Sequence, residues 1–458
     1  MYSPTAILGY GFPGESIKEV LKYDIDIIGV DAGSTDPGPY YLGSGEPLVV
    51  DEQVKRDLDR IIGIALEKNA VVVVGSSGGA GSRVHVERTL KLVLDVLGSR
   101  NVEGEVKIAV LYSDVTPTML ERLVSENRII GPASIGAPEF SLDRARESTV
   151  VAQNGIEPIL RVLEEWKPDI VVAGRVADAA VFAAPLVARG VDRGVAVLVG
   201  KILECGAIAA EPGSGSDGML AFVERDRFYV KPSNPKRRAT VVSVAEHALY
   251  EREDPSREVL PGGYLDLSEV EYLQVDSSTV EVRGAKWVEE EDYLVKLEGA
   301  RKIGYRVITI AGARDPSFIA NLDSLLEETI KEVHRRVGGR VQVYVRIYGR
   351  DAVMGRLEPC RETCHEVGIL VEAIAPTPGE AREAVAVARS YLLHVGWPGR
   401  KTTAGNLAFP LSPSDIYVGG AYEWSVWHLA RPWTPYSLAR AELILYKHGG
   451  VERGVDTW

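Results

Sequence analysis

The chain has 458 residues, 45% of them hydrophobic and 26% charged, and carries a net charge of −13. That length divides naturally into two or three domains, and no apolar run reaches the roughly 20 residues that a membrane helix needs. The acidic balance repels phosphate backbones, so nucleic acid is not an expected partner.

The N-terminal half repeats one pattern: a short apolar run, a Gly/Ser/Thr/Asp loop, then a helical stretch. Ala6-Ile7-Leu8 leads into Gly9-Tyr10-Gly11-Phe12-Pro13-Gly14, with a helix expected over about 17–23. Residues 25–30 lead into Asp31-Ala32-Gly33-Ser34-Thr35-Asp36-Pro37-Gly38-Pro39-Tyr40-Tyr41. Residues 71–74 lead into Ser76-Ser77-Gly78-Gly79-Ala80-Gly81-Ser82-Arg83 and a helix to about 97. Residues 107–111 precede Ser113-Asp114, and 169–173 precede Gly174-Arg175-Val176-Ala177-Asp178. These runs are continuous and β-branched, which predicts strands covered on both faces. The fold class expected is therefore α/β, with a parallel Rossmann-like sheet over residues 1–210. In such sheets ligands bind beyond the carboxyl ends of the strands, where all five loops fall.

The texture then changes. Residues 211–300, rich in Gly, Pro and acidic residues, predict an irregular insertion with short strands at 240–244 and 278–282. Residues 301–458 predict a C-terminal α+β sandwich domain, with strands near 305–310, 341–347 and 367–375, helices near 322–337 and 378–395, and a tail rich in Gly, Pro and aromatic residues.

Several motifs carry chemistry, each with a plain structural alternative. Gly9, Gly11 and Gly14 form G-x-G-x-x-G, and Asp31 stands where a dinucleotide fold places its ribose-binding acid; the loop reads as a nicotinamide or flavin site, a general anion site or a tight turn. Asp31, Ser34, Asp36 and Tyr40 crowd one strand end, enough for acid–base work or for a solvated, self-capped loop. Ser76, Ser77, Gly78 and Gly79, with Arg83 nearby, resemble an anion nest or a glycine hinge before an N-cap. No Gly-Lys-Ser/Thr follows, so a Walker loop is excluded. Arg175 and Asp178 offer an anion clamp or an ordinary i,i+3 pair. Lys401, Thr402 and Asn406 sit in a dense polar block that completes a pocket or makes a seam.

Cysteine occurs only at Cys205, Cys360 and Cys364, which argues against a disulfide framework and for a reducing, cytoplasmic setting. No basic region precedes an apolar stretch at the start of the chain, so no signal peptide is expected. Glutamine is confined to Gln53, Gln153, Gln274 and Gln342, a scarcity that points to a thermophilic source. Cys360-x-x-x-Cys364-His365 offers three soft ligands without a fourth and reads rather as buried thiols or a redox bridge, so no strong metal signature is present. No H-E-x-x-H motif or G-x-S-x-G elbow occurs, and no cofactor is identified.

With these blocks in view, the sequence resembles the acyclic terpene utilisation (AtuA) family over nearly its whole length. The carrying segments are residues 33–45, 174–178, Leu203-Glu204-Cys205-Gly206-Ala207, Glu246-His247 with Leu249-Tyr250-Glu251 and Asp254-Pro255, and residues 399–410 with 412–415. The Asp36-Pro37-Gly38-Pro39 form and the long C-terminal region resemble the branch associated with a small companion protein, which implies a hetero-complex. The resemblance brings no established mechanism.

The leading expectation is an enzyme acting on a small carboxylate or its CoA thioester by proton abstraction, of hydratase or lyase type. Asp31 or Asp36 would be the base, Tyr40 or Ser34 a proton donor, and Arg83, Arg175 or Lys401 the anion holder, with Asp178 close by. The alternatives are a nucleotide-cofactor oxidoreductase and a ligand-binding or scaffold subunit; a homo-oligomer is expected in each case.

Overall fold

A computed structural model describes residues 1–250, 252, 254–360, 364–401, 404–447 and 450–457. The chain forms two compact units. The first comprises Met1–Arg301 and Trp424–Trp458, the second Lys302–Glu423.

The first unit is a mixed α/β structure built on an 11-stranded sheet. Its centre is parallel: β1 (Tyr2–Ser3), β2 (Ile27–Asp31), β3 (Val71–Gly75), β4 (Glu105–Tyr112) and β5 (Ile170–Ala173) lie in the spatial order β1-β2-β3-β5-β4. Burial explains the continuous Val/Ile runs, because β2 and β5 are buried at every position. One face is covered by α1 (Asp51–Lys68) and α2 (Arg83–Ser99), whose Leu58, Ile61, Val93 and Val96 pack on Ile28, Val72 and Ile108. The other face is covered by α3 (Glu157–Trp166), α4 (Ala180–Val187) and α5 (Arg193–Leu203), which meet Ile27, Val73 and Val171.

The sheet departs from the all-parallel expectation at both margins. Residues 6–8 are not a strand. Tyr2 pairs with Ile28 instead, and the Leu8 N–H donates to Asp31 O at 2.8 Å, so the chain turns off the sheet early. The 211–300 region supplies antiparallel strands to the same sheet, with Met219–Val223 pairing on β1. Residues 241–249 form a helix where a strand was expected: Thr240 and Ser243 make a reciprocal capping box that starts it despite the Val-Val pair. The tail does not stay with the residues that precede it, since Arg440–Lys447 pairs antiparallel with β4.

The second unit is α+β. Its strands Gln342–Tyr348 and Val367–Ala375 pair antiparallel, and Val367–Ala375 pairs in turn with residues 305–313. Helices Leu322–Val337 and Pro378–His394 cover one face, burying Leu325, Val333, Ala384 and Val385 against Val307, Ile369 and Val371. The hydrophobic periods at 322–337 and 378–395 match these helices closely.

Glycines let the carboxyl-edge loops of the parallel strands touch. At Gly81, with φ +68°, a Cβ would sit 2.3 Å from the Arg175 nitrogen, and at Gly174 it would meet Ser113 Oγ at 2.5 Å. Ser113 Oγ ties the three loops, accepting from Arg175 N–H at 2.6 Å and donating to Gly81 O at 3.1 Å. Gly81→Ala forces both a strained φ and a backbone clash, and is expected to cost about 2 kcal/mol or more in urea unfolding. A stability equal to that of the parent chain would refute this packing account.

Candidate functional site

The strand-end loops do converge, but on a paired ionic cluster and not on an open anion cradle. Arg175, just beyond β5, has a side chain only 4% exposed. Its Nε donates to Glu298 Oε2 at 2.9 Å, and its Nη1 donates to Ser76 Oγ at 3.1 Å and Asp178 Oδ1 at 3.0 Å. Glu298 lies on the strand Val295–Ala313, opposite Val151, and is fully buried. Lys296 Nζ, two residues earlier on the same strand, is 2.7 Å from Glu298 Oε1. Ser76 adopts φ +42°, rare for a side-chain-bearing residue, and this aims its hydroxyl at the guanidinium.

Asp31 ends β2 inside this cluster. It is 6% exposed, and its Oδ1 has no hydrogen-bond partner among the described residues. Burial, reinforced by Asp178 and Glu204 and opposed by Arg175, pushes its carboxyl well above the usual range.

A second set of groups adjoins it from the end of α5. Glu204 Oε1 accepts from Lys201 Nζ at 2.8 Å and from Tyr250 Oη at 3.0 Å. Cys205 Sγ lies 3.2 Å from the same phenol, and His247 stacks on the Tyr250 ring at 4.7 Å. Burial, with Asp178 and Glu258 adding and Lys201 opposing, raises Glu204 to about 8. Burial and Glu204 push the Cys205 thiol up to about 12, so it is no ready nucleophile. Burial lowers His247 to about 4, leaving a neutral imidazole. Glu298 behaves oppositely: burial works against its charge, yet Arg175 and Lys296 hold it below the usual carboxylate range. The cluster thus sets four carboxyls (Asp31, Asp178, Glu204, Glu298) against three cations (Arg175, Lys201, Lys296). The group left without a cation of its own is Asp31.

The remaining expected residues lie elsewhere or are occupied. Asp36 is exposed and accepts from the half-buried Ser34 hydroxyl at 2.7 Å, a self-capped turn. Tyr40 packs edge-on against Tyr41 at 5.4 Å. The glycine-rich loop at Gly9–Gly14 is closed by protein: Gly9 and Gly11 N–H donate to the buried Asp57 carboxylate at 2.9 and 2.8 Å. Gly14 opens a helix of only seven residues. Three of the nest's four amides are spent likewise. Ser76 N–H goes to Gly174 O, Ser77 N–H to Ala173 O and Gly79 N–H to Ser76 O, and Ser77 Oγ also caps Ala173 O at 2.8 Å, while Gly78 O accepts from Leu48 N–H. Arg83 is exposed, its guanidinium 4.9 Å from the Tyr112 ring centroid. Lys401 and Asn406 belong to the second unit, where the Asn406 amide donates to Leu392 O and Val395 O at 2.9 Å. Thr402, Thr403 and Glu251 lie outside the described residues. Of the expected residues, the structure unites Asp31, Ser76, Arg175 and Asp178.

Glu204, Lys201, Glu298 and Lys296 were not singled out in sequence. Lys201 had a readable signal: it is the one charged residue in the run Val195–Leu203, and a lysine buried on an all-apolar helix needs a partner. Glu298 had none, because a lone acid in a strand looks the same buried or solvated. Among the described residues no three His, Cys, Asp or Glu side chains are placed to hold a metal ion. Cys360 and Cys364 are both free thiols, and Cys364 donates to Gly349 O.

The raised Glu204 fixes a pH dependence. A carboxyl with pKa about 8 in the fold and 4.5 as its ordinary value keeps its proton longer when folded. Its contribution to stability is full below about pH 4.5 and is lost as pH rises through about 8. Glu204→Gln is therefore expected to flatten the fall in unfolding free energy across that window. An unchanged pH slope in denaturant titrations would overturn the assignment.

A family model described as acyclic terpene utilisation family protein AtuA matches residues 48–216 and 226–412. No curated protein and no solved structure matches the chain. The matched segments take in Asp178, Arg175, Lys201, Glu204 and Glu298, and they span well over half of the sequence: the chain belongs to the acyclic terpene utilisation family, AtuA.

Proposed function

We propose that the chain is an enzyme that moves a proton on a small carboxylate or its thioester, with hydratase or lyase outcome, at the carboxyl edge of a Rossmann-like parallel core. The observation that carries this reading is the Asp31 carboxyl: buried, missing a partner on Oδ1 among the described residues, and raised well above the usual carboxylate range by burial and its acidic neighbours. A buried carboxyl set among other carboxyls and a guanidinium is the kind of group that serves as a general acid or base. Asp31 takes the proton from the carbon next to the carbonyl, and Glu204, protonated up to about pH 8 and bonded to Tyr250, returns a proton to the departing hydroxyl. The carbon–hydrogen and carbon–oxygen bonds break, the double bond forms, and water leaves.

Arg175 takes a different part from the anion clamp first expected of it. Glu298 and Asp178 already neutralise it, so it orients Asp178 and opposes, without cancelling, the rise in pKa that burial and the neighbouring carboxyls impose on Asp31. The oxidoreductase alternative has lost its cradle, because Asp57 occupies the Gly9 and Gly11 amides. The AtuA branch resemblance adds a small companion protein as partner.

Purified protein, alone and with the companion, would be screened against hydroxy acids, unsaturated acids and their thioesters. Asp31→Asn is expected to lower turnover by about a thousandfold while the circular dichroism and unfolding midpoint stay native. Full activity in that variant, or no turnover of any member of the panel, ends this reading.

A further inference from the structure

The opposite end of the parallel strands holds a cavity of about 750 Å³, beneath the amino ends of β3, β4 and β5. Its volume is in the range of pockets that enclose small organic ligands. Ile62, Leu66, Leu97, Val102, Leu163 and Ala188 supply an apolar lining drawn from both layers of helices.

The electrostatics of that end follow from the fold. Helices antiparallel to their strands finish where the strands begin, so α1, α2, α3 and α4 all direct their carboxyl termini toward this edge. Each ends near the cavity: α1 at Lys68 with Asn69 as its left-handed cap, α2 at Ser99, α3 at Trp166 with Lys167 as cap, and α4 at Val187 with Ala188 as cap. Unsatisfied carbonyls at helix carboxyl ends carry partial negative charge. Glu103, Glu105, Glu164 and Asp169 add four carboxylates to the lining. Against them stand Lys167 and Arg189, of which Arg189 donates to Asp26 O at 3.3 Å, and Lys447, which pairs with Glu105 at 2.8 Å. The charge of Lys107 also acts on Glu105, and its backbone N–H donates to Asp169 at 2.8 Å, leaving Glu103 and Glu164 as the carboxylates of the lining without a partner among the described residues.

We propose that this cavity is a binding site for an organic cation: an apolar body seated on the Leu66–Leu163–Ala188 lining with an ammonium group held at the acidic rim by Glu103 and Glu164. The inference is independent of the proton-transfer reading, since it uses no residue of the Asp31 cluster and lies at the other end of the strands.

Three probes with one tail and different heads test it: hexylammonium, hexanoate and 1-hexanol, each titrated into the full chain by calorimetry. Hexylammonium is expected to bind about tenfold or more tightly than either of the others, with the preference falling as salt rises. The double variant Glu103→Gln/Glu164→Gln, on exposed positions, should erase the preference while leaving the fold intact. Ala188→Trp, also exposed, should fill the cavity and abolish binding. Equal affinity for the three heads, a preference for hexanoate, or hexylammonium binding unchanged by Ala188→Trp would each overturn the proposal.

Discussion

Buried charge organises the carboxyl edge of this chain, and Arg175 is its centre. A guanidinium removed from water is tolerable only when acceptors replace its hydration. Arg175 finds them on separate parts of the chain: Ser76 after β3, Asp178 after β5, and Glu298 about 120 residues further on. Taking away one partner of such a buried pair costs about 3–5 kcal/mol, because the other charge stays behind unpaired. The pairing therefore locks the loops to one another. It also acts on Asp31, whose Oδ1 is left without a hydrogen-bond donor among the described residues and whose rise in pKa Arg175 opposes.

The parallel core was readable because its cause is local. Continuous β-branched runs at 71–74, 107–111 and 169–173, each followed by a polar loop and a helical period, can satisfy both sheet faces in one way only. The convergence of Asp31, Ser76, Arg175 and Asp178 followed from the same topology. What the pattern could not reveal is where donors and acceptors already have partners. The G-x-G-x-x-G loop reads as anion-receptive until Asp57 is found beneath it, and Asp57 lies in α1, where its side chain looks like any first-half helix acid. The same holds for the nest at 76–79, where the Ser76 and Ser77 amides go to carbonyls at the end of β5 and the Gly79 amide turns back to Ser76.

The margins were harder for a different reason. Residues 241–249 open on a β-branched pair, Val241-Val242, that favours a strand, and a two-residue capping box tips them to helix. Strand Arg440–Lys447 is amphipathic enough to be seen as a strand, but its partner, β4, is more than 300 residues away. Local propensity carries no information on pairing at that range. The ionic cluster has the same character, since Glu298 and Arg175 meet only after the chain has closed.

That long-range closure has a consequence for how the molecule is made. During synthesis β4 leaves the ribosome early, yet its outer edge waits for Arg440–Lys447, and the whole of 302–423 must be threaded out in between. An unpaired edge of eight residues, rich in Val, Ile and Leu, is then open to wrong partners for most of translation. Nascent chains of this protein should therefore lean on chaperones, or on quick burial of that edge by another surface, until the final strand arrives.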